Sequence, residues 1–296
     1  MRLVTFVDSK GRRLGLHDPV KNEIIDLTTA APGLPDTMER FIATGRPALE
    51  AAKGAFASGI GRIVARTVKI VAPLAEGRAT VFCIGKNYRD HVKELHGKGF
   101  EKSAPAEPPP DVPIVFSKVG SSIVGPGDAI DSRLDPTATV DYEGELAVVI
   151  GAGGRGIARA QAMSHVYGYT IVNDVTSRAL QQRHKQWLLG KSLDTFCPMG
   201  PCILTADEVP DVTRLRVVTR VNGEERQNGT LAELIFDIPT LIETISQTMS
   251  LRPGDLISTG TPAGVGFGFD PPKFLKAGDR VSVTIEPIGT LESPVI

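Results

Sequence analysis

The stretch Asp141-Tyr142-Glu143-Gly144-Glu145-Leu146-Ala147-Val148-Val149-Ile150 opens acidic and closes as an unbroken apolar run. It reads as a β-strand, in which successive side chains alternate faces, so Glu143 and Glu145 point the same way with Cα atoms ~6.6 to 6.8 Å apart. Asp141 is expected to join them. A solvated sheet face is one reading of such a row, because strand charges usually face water. The run from Leu146 to Ile150, however, is apolar on both faces, as in a strand covered on both sides. Burying like charges without compensation is costly, and a cation between them would resolve the conflict.

The next apolar segment, Val166 to Val172, leads into Asn173-Asp174 just before a helical pattern over Thr176 to Leu189. Asp174 either caps that helix or brings a third carboxylate to Glu143 and Glu145. An all-oxygen set without His or Cys selects a hard ion, Mg²⁺ or Mn²⁺. Between the two strands, Gly151-Ala152-Gly153-Gly154-Arg155-Gly156 matches G-x-G-x-x-G, with Asp174 about twenty residues on, as in a dinucleotide fingerprint. The context fails, since the preceding strand carries two acids and no series of strand-helix repeats follows. The glycines read as a tight turn. Likewise Gly264-Val265-Gly266-Phe267-Gly268 lacks the Lys-Ser/Thr ending of a phosphate loop.

Two further groups have chemistry. His91 and Glu94 stand at i and i+3 in a predicted helix from Tyr88 to Leu95 and share a face. A carboxylate beside an imidazole raises its basicity and fixes its orientation, which suits a water-activating base, although an ordinary surface pair has the same spacing. Lys191, flanked by Gly190, Phe196 and Pro198, reads either as a surface lysine or as a partly buried one. Trp187 reads as packing.

The 296 residues carry 33 Lys and Arg against 34 Asp and Glu, a net charge of -1, which removes the basic field expected of a nucleic-acid binder. Apolar runs fall far short of the ~20 residues that span a bilayer, and Met1-Arg2-Leu3 leads into strand-like sequence. A cytoplasmic location without membrane partners is expected. Cys83, Cys197 and Cys202 form neither a disulfide framework nor a CxxC pair and are expected to be buried thiols. The 31 Gly and 22 Pro, spread at turn-like spacings, favour many short strands. Residues 1–72 are expected to form a small N-terminal domain with strands near Arg2 to Val7, Arg13 to His17 and Glu23 to Leu27, and residues 73–296 a larger one. His96 to Pro113, rich in Gly, Lys and Pro without periodicity, is expected to act as a lid.

Six segments together resemble the fumarylacetoacetate hydrolase family: IGKNYRDHVKE (84–94), VDYEGELAVVIG (140–151), YTIVNDVTSRALQ (169–181), GKSLDTFCPMGP (190–201), VNGEERQNG (221–229) and GDLISTGTPAGVG (254–266). The resemblance covers roughly Thr80 to the C-terminus. It implies an α+β, β-rich fold, with a rolled mixed sheet in the catalytic domain and a small N-terminal α/β domain, and it implies a homodimer. It further implies Glu143, Glu145 and Asp174 as ligands of Mg²⁺ or Mn²⁺, His91 with Glu94 as the water-activating pair, and Lys191 as a positive group at the substrate oxygen. Lys118 and Thr261 match pocket-lining positions, and Arg178 and Gln181 match positions that touch substrate or support the ligands. Fumarylacetoacetases proper have a further metal-binding aspartate where this chain has Lys86 and Asn87, which favours the acylpyruvate hydrolase and oxaloacetate decarboxylase branch.

The expected activity is therefore metal-dependent cleavage of a C–C bond in a small 2,4-dioxo acid to pyruvate and a carboxylic acid, with oxaloacetate decarboxylation at the same site. An isomerase or hydratase of 2-oxo-enoic diacids is the alternative. A catalytically silent binding protein is the rival from outside enzymology, and a pure scaffold would need neither the acids nor the His91–Glu94 pair.

Overall fold

A computed structural model describes residues 1–74, 80–95 and 109–296, so residues 96–108 of the expected lid lie outside the described residues. The fold is α+β and rich in strands, as expected, and most of them join one mixed sheet. Across it run Arg62–Val64, Glu23–Asp26, Gly11–Asp18, Arg2–Asp8, Cys197–Thr205, Val166–Asn173, Gly144–Ile150, Leu256–Ser258, Val81–Gly85 and Ile114–Lys118. Neighbours on this path are antiparallel except Leu256–Ser258 and Val81–Gly85, which run parallel with Ser258 opposite Cys83. The strand Arg2–Asp8 joins residues 1–72 to the rest, pairing Leu3 with Ile203.

Gly144–Ile150 sits near the middle of this sheet, and its alternate side chains feed two cores. Leu146, Val148 and Ile150 pack with Ile171, Leu204, Ile257 and the helix Ile238–Thr248 through Leu241, Ile242 and Ile245. A second, four-stranded sheet covers the same face, contributing Val217 from Arg216–Val221, Val283 and Ile285 from Arg280–Ile285, and Leu291 from Gly289–Pro294. Ala147 and Val149 face the other core, with Leu3, Leu16, Ile25, Phe41, Cys83, Val172 and Met199. Burial on both sides explains why the run has no polar alternation. At roughly 25 cal/mol per Å² of apolar surface, each such side chain contributes about 1.5–3 kcal/mol to holding the strand in register.

Two expected elements differ. The single strand over Val140 to Ile150 is broken: Val140–Asp141 pairs with Thr176–Ser177, and Gly144–Ile150 pairs separately with Val166–Asn173. The break exists because side chains capture the backbone there, Asn173 Oδ1 accepting from Glu143 N at 3.0 Å and Asp141 Oδ1 from Tyr142 N at 2.9 Å. The expected helix from Thr176 shrinks to Arg178–Arg183, capped by Ser177 and not by Asp174, followed by the short helix Leu188–Lys191. Gly151 to Gly156 form a turn with no α-helix after them, and Gly154 bridges to Leu251. Trp187 packs edge-on against Phe116, ring centroids 5.2 Å apart. Cys83, Cys197 and Cys202 are buried free thiols. No helix among the described residues is long and apolar enough to cross a membrane.

Candidate active site

Both strands of the central hairpin bend at the same level, where Asp174 N donates to Glu143 O at 2.8 Å. The bend brings Glu143, Glu145 and Asp174 together, with one carboxylate oxygen from each lying within 4.8 Å of the others, and all three are buried. Asp141, expected in the same row, is not among them. The broken strand turns its side chain to the amides of Gly266 and Phe267, 2.7 and 2.9 Å away, and to Arg178 Nε at 2.8 Å.

Four buried carboxylates, counting Asp141, therefore face three buried cations, Lys118, Lys191 and Arg178. Lys191 Nζ lies 2.7 Å from Glu143 Oε2 and 2.8 Å from Asp174 Oδ2, and 5.2 Å from the centre of the Phe116 ring. Arg178 Nη1 reaches Glu143 Oε1 at 2.6 Å and Gln181 Oε1 at 3.3 Å. Lys118 donates to Asp174 Oδ1 at 2.6 Å, to Val175 O at 3.1 Å and to Lys191 O, so its ammonium braces the site from below. Among the described residues no cation is paired with Glu145. It accepts from Ser258 Oγ at 2.6 Å and Gly260 N at 2.9 Å through one oxygen.

The proton affinities follow from this pairing. Burial alone would raise the Glu143 carboxyl, but the Lys191, Arg178 and His91 charges override it and hold the pKa at about 2. Burial, then Asp174 and Glu143, push Glu145 up to about 8. Burial would lower the Lys191 ammonium, yet Asp174 and Glu143 keep it above the ordinary lysine value. An uncompensated carboxylate beside two others, with only oxygen donors in the set, fits a hard divalent cation.

On the far side, the helix Arg89–Leu95 presents His91 and Glu94, with Nδ1 3.2 Å from Oε2. His91 is buried, unlike an ordinary surface pair. The helix is held by Asn87, whose amide spans Phe236 and Thr259: Nδ2 donates to Thr259 O at 2.8 Å, and Oδ1 accepts from Phe236 N at 2.8 Å. Thus Asn87, at the position where fumarylacetoacetases proper were expected to differ, acts as a clamp. Thr261 Oγ1 donates to Gly144 O at 2.9 Å and accepts from Gln227 Nε2 at 2.7 Å, while Gln227 Oε1 accepts from Gly144 N at 3.0 Å. Sequence reading marked Asn87 only as a departure from the fumarylacetoacetases proper and singled out neither Gln227 nor Ser258, although each of the three is a buried polar residue inside one of the six segments.

The fumarylacetoacetate (FAA) hydrolase C-terminal family model matches residues 80–296. The chain belongs to the fumarylacetoacetate hydrolase family. It is 48% identical over 263 residues to the oxaloacetate tautomerase YisK of Bacillus subtilis, covering 87% of this chain and 83% of that one. It is 42% identical over 301 residues to the human mitochondrial oxaloacetate tautomerase FAHD2A, covering 100% of this chain and 92% of that protein. Among solved structures, the maleylpyruvate hydrolase of Sphingobium sp. SYK-6, in complex with manganese(II) ion and pyruvate, superposes with a TM-score of 0.80 at 32% identity, over 100% of this chain and 99% of that one. Family members thus include tautomerases and hydrolases, and the three buried acids form a candidate divalent-metal centre in a family of enzymes.

Proposed function

We propose that this protein is a Mg²⁺- or Mn²⁺-dependent enzyme that interconverts the keto and enol forms of a small 2-oxo acid, with oxaloacetate as the first substrate to test. The observation that carries it is the buried cluster Glu143, Glu145 and Asp174, one carboxylate of which has no cationic partner among the described residues, lying in a chain that matches oxaloacetate tautomerases along most or all of its length. Glu143, Glu145 and Asp174 would hold the ion. When bound, the ion supplies Lewis acidity toward the carboxylate and 2-oxo oxygens of a chelating substrate.

The rest is done by this chain's side chains. Tautomerisation moves one proton between carbon and oxygen. His91, oriented by Glu94, takes up or returns the proton at C3, Lys191, drawn toward the acids, balances the negative charge of the enolate oxygen between the two steps, and that oxygen gains or loses its own proton to water. Arg178, Gln181 and Thr261 line the substrate, and Lys118 keeps Asp174 in place. A second reading, hydrolysis of an acylpyruvate to pyruvate and a carboxylic acid, draws on the same His91–Glu94 pair acting on a water, and is favoured by the likeness to a maleylpyruvate hydrolase.

The test follows enol-oxaloacetate by its ultraviolet absorbance in EDTA-treated protein with Mg²⁺ or Mn²⁺ added back, alongside a panel of acylpyruvates. Ion-dependent enol loss far above the solution rate supports the tautomerase. Acylpyruvate cleavage without it shifts the reading to the hydrolase, and full activity after EDTA treatment refutes the metal centre.

A further inference from the structure

Gly264-Val265-Gly266-Phe267-Gly268 has no phosphate-loop ending, yet its amides do bind anions: two carboxylates of its own chain. At one end Gly264 N donates to Glu94 Oε1 at 2.8 Å, while Gly264 O accepts from Tyr142 OH at 2.9 Å. In the middle Gly266 N and Phe267 N donate to the two oxygens of Asp141, at 2.7 and 2.9 Å. Glu94 passes this restraint to His91, 3.2 Å away. Asp141 passes it to Arg178, whose Nη1 grips Glu143 at 2.6 Å. One five-residue loop therefore touches the partner of the imidazole and the support of an acid in the metal cluster.

Packing makes the same point at the loop's last glycine. A methyl group on Gly268 would fall 2.1 Å from Glu94 Oε1, and its three nearest atoms all belong to the Glu94 side chain. Gly268 lies outside the left-handed backbone region, so the missing side chain is required by Glu94 and not by the turn. A methyl on Gly266 would likewise stand 2.7 Å from Asp141 Oδ1, and also 2.3 Å from Lys273 O.

We propose that the loop Gly264 to Gly268 is the positioning element that sets the His91–Glu94 pair and the Asp141–Arg178–Glu143 arm relative to each other, with Gly268 and Asp141 as its two positioning residues. The inference rests on the roles given above to His91 and Glu143 and adds what holds them. It predicts separable effects at the two ends. Gly268→Ala displaces only Glu94, so it lowers turnover by about 10²-fold, the cost of a misplacement near 1 Å, and leaves Mn²⁺ affinity as in the wild type. Asp141→Asn frees Arg178 from its orientation and weakens Mn²⁺ binding about 10- to 100-fold, the usual range for groups that orient metal ligands.

The experiment combines Mn²⁺ titration calorimetry, the ¹⁵N signals of the His91 ring assigned with His91→Gln, and turnover. The variants are Gly268→Ala, Asp141→Asn, Glu94→Gln and the double variant Gly268→Ala/Glu94→Gln. Support is a shifted His91 ring in Gly268→Ala, a turnover loss that disappears in the Glu94→Gln background, and weakened Mn²⁺ binding in Asp141→Asn. Arg178→Lys, which keeps charge but loses the fork, must weaken Mn²⁺ binding too, and it stands in should Asp141→Asn not fold. Superimposable His91 signals in Gly268→Ala and the wild type, or an undiminished loss in the Glu94→Gln background, would overturn the proposal. So would wild-type Mn²⁺ affinity in folded Asp141→Asn and Arg178→Lys. If the wild type turns over no 2-oxo acid while the ring signals and Mn²⁺ affinities respond as stated, the functional reading fails and the positioning role stands.

Discussion

Replacing Glu143 and Glu145 in turn by glutamine should have opposite consequences for the ion-free protein, although the two residues are only two positions apart. Glu143 contacts Arg178 at 2.6 Å and Lys191 at 2.7 Å, all three buried. Glu143→Gln removes a charge from a buried pair and strands its partners, a change that costs roughly 3–5 kcal/mol. At about 2 °C per kcal/mol for a chain of this size, Tm should fall by roughly 6–10 °C. Glu145, held at about 8, carries its proton at neutral pH. A glutamine there keeps an acceptor for Ser258 and Gly260 and removes the need to regain on folding a proton that the unfolded chain has lost above 4.5, so at pH 7 Tm should rise, by roughly 6 °C for about 1.4 kcal/mol per pH unit over that interval.

The same pairing sets a pH dependence with a definite sign. Between the ordinary glutamate value of 4.5 and about 8, native Glu145 retains a proton that the unfolded chain has released. Stability therefore falls as pH rises through that window, and the contribution present below it is lost above about 8. A shift of this size is worth several kcal/mol, on the order of 1.4 per pH unit. Thermal melts of EDTA-treated wild type, Glu143→Gln and Glu145→Gln from pH 5 to 9 would measure it. The decline should be present in the wild type, absent in Glu145→Gln, and removed from the wild type by saturating Mn²⁺, which takes the place of the proton. Equal Tm losses in the two variants at pH 7, or parallel pH profiles for wild type and Glu145→Gln, would refute the reasoning.

Both variants should also bind Mn²⁺ far more weakly than wild type by calorimetry, Glu145→Gln included, because it loses a ligand while keeping its stability. His91→Ala should slow oxaloacetate tautomerisation by ~10² to 10⁴ through loss of the group that exchanges the C3 proton, and acylpyruvate cleavage likewise on the second reading; an unchanged tautomerisation rate in a stopped-flow assay would take that role from His91. Gln227→Leu leaves Gly144 N and Pro262 O without a buried partner, so a destabilisation of about 1–3 kcal/mol per group is expected in urea melts. Lys118→Met should lower Tm and loosen Mn²⁺ binding together, since the ammonium braces Asp174 through Oδ1.

What was legible in the sequence had local causes. The apolar run after Glu145 announced a strand covered on both faces, and three acids without His or Cys announced a hard ion. The break at Tyr142 and Glu143 was not legible, because it depends on partners far along the chain: Asn173 Oδ1, 30 residues away, captures Glu143 N, and Gly266 N, 125 residues away, captures Asp141. Strand alternation alone therefore put Asp141 in the acid row. The strand Glu224–Thr230 was hidden for another reason, since its outer positions are charged and its inward ones are Gln227 and Gly229 rather than apolar residues. The same logic limits what acidic spacing can say about a site. Glu143 and Glu145 are the same residue type at adjacent same-face positions, yet one sits at about 2 and the other at about 8. The difference comes from Arg178 and Lys191, which reach the first and leave the second unneutralised, and both arrive from segments that the strand pattern does not connect to it. A row of acids in a sequence identifies where charge must be balanced; which of them remains for a cation to balance is decided by the basic side chains that the rest of the fold delivers.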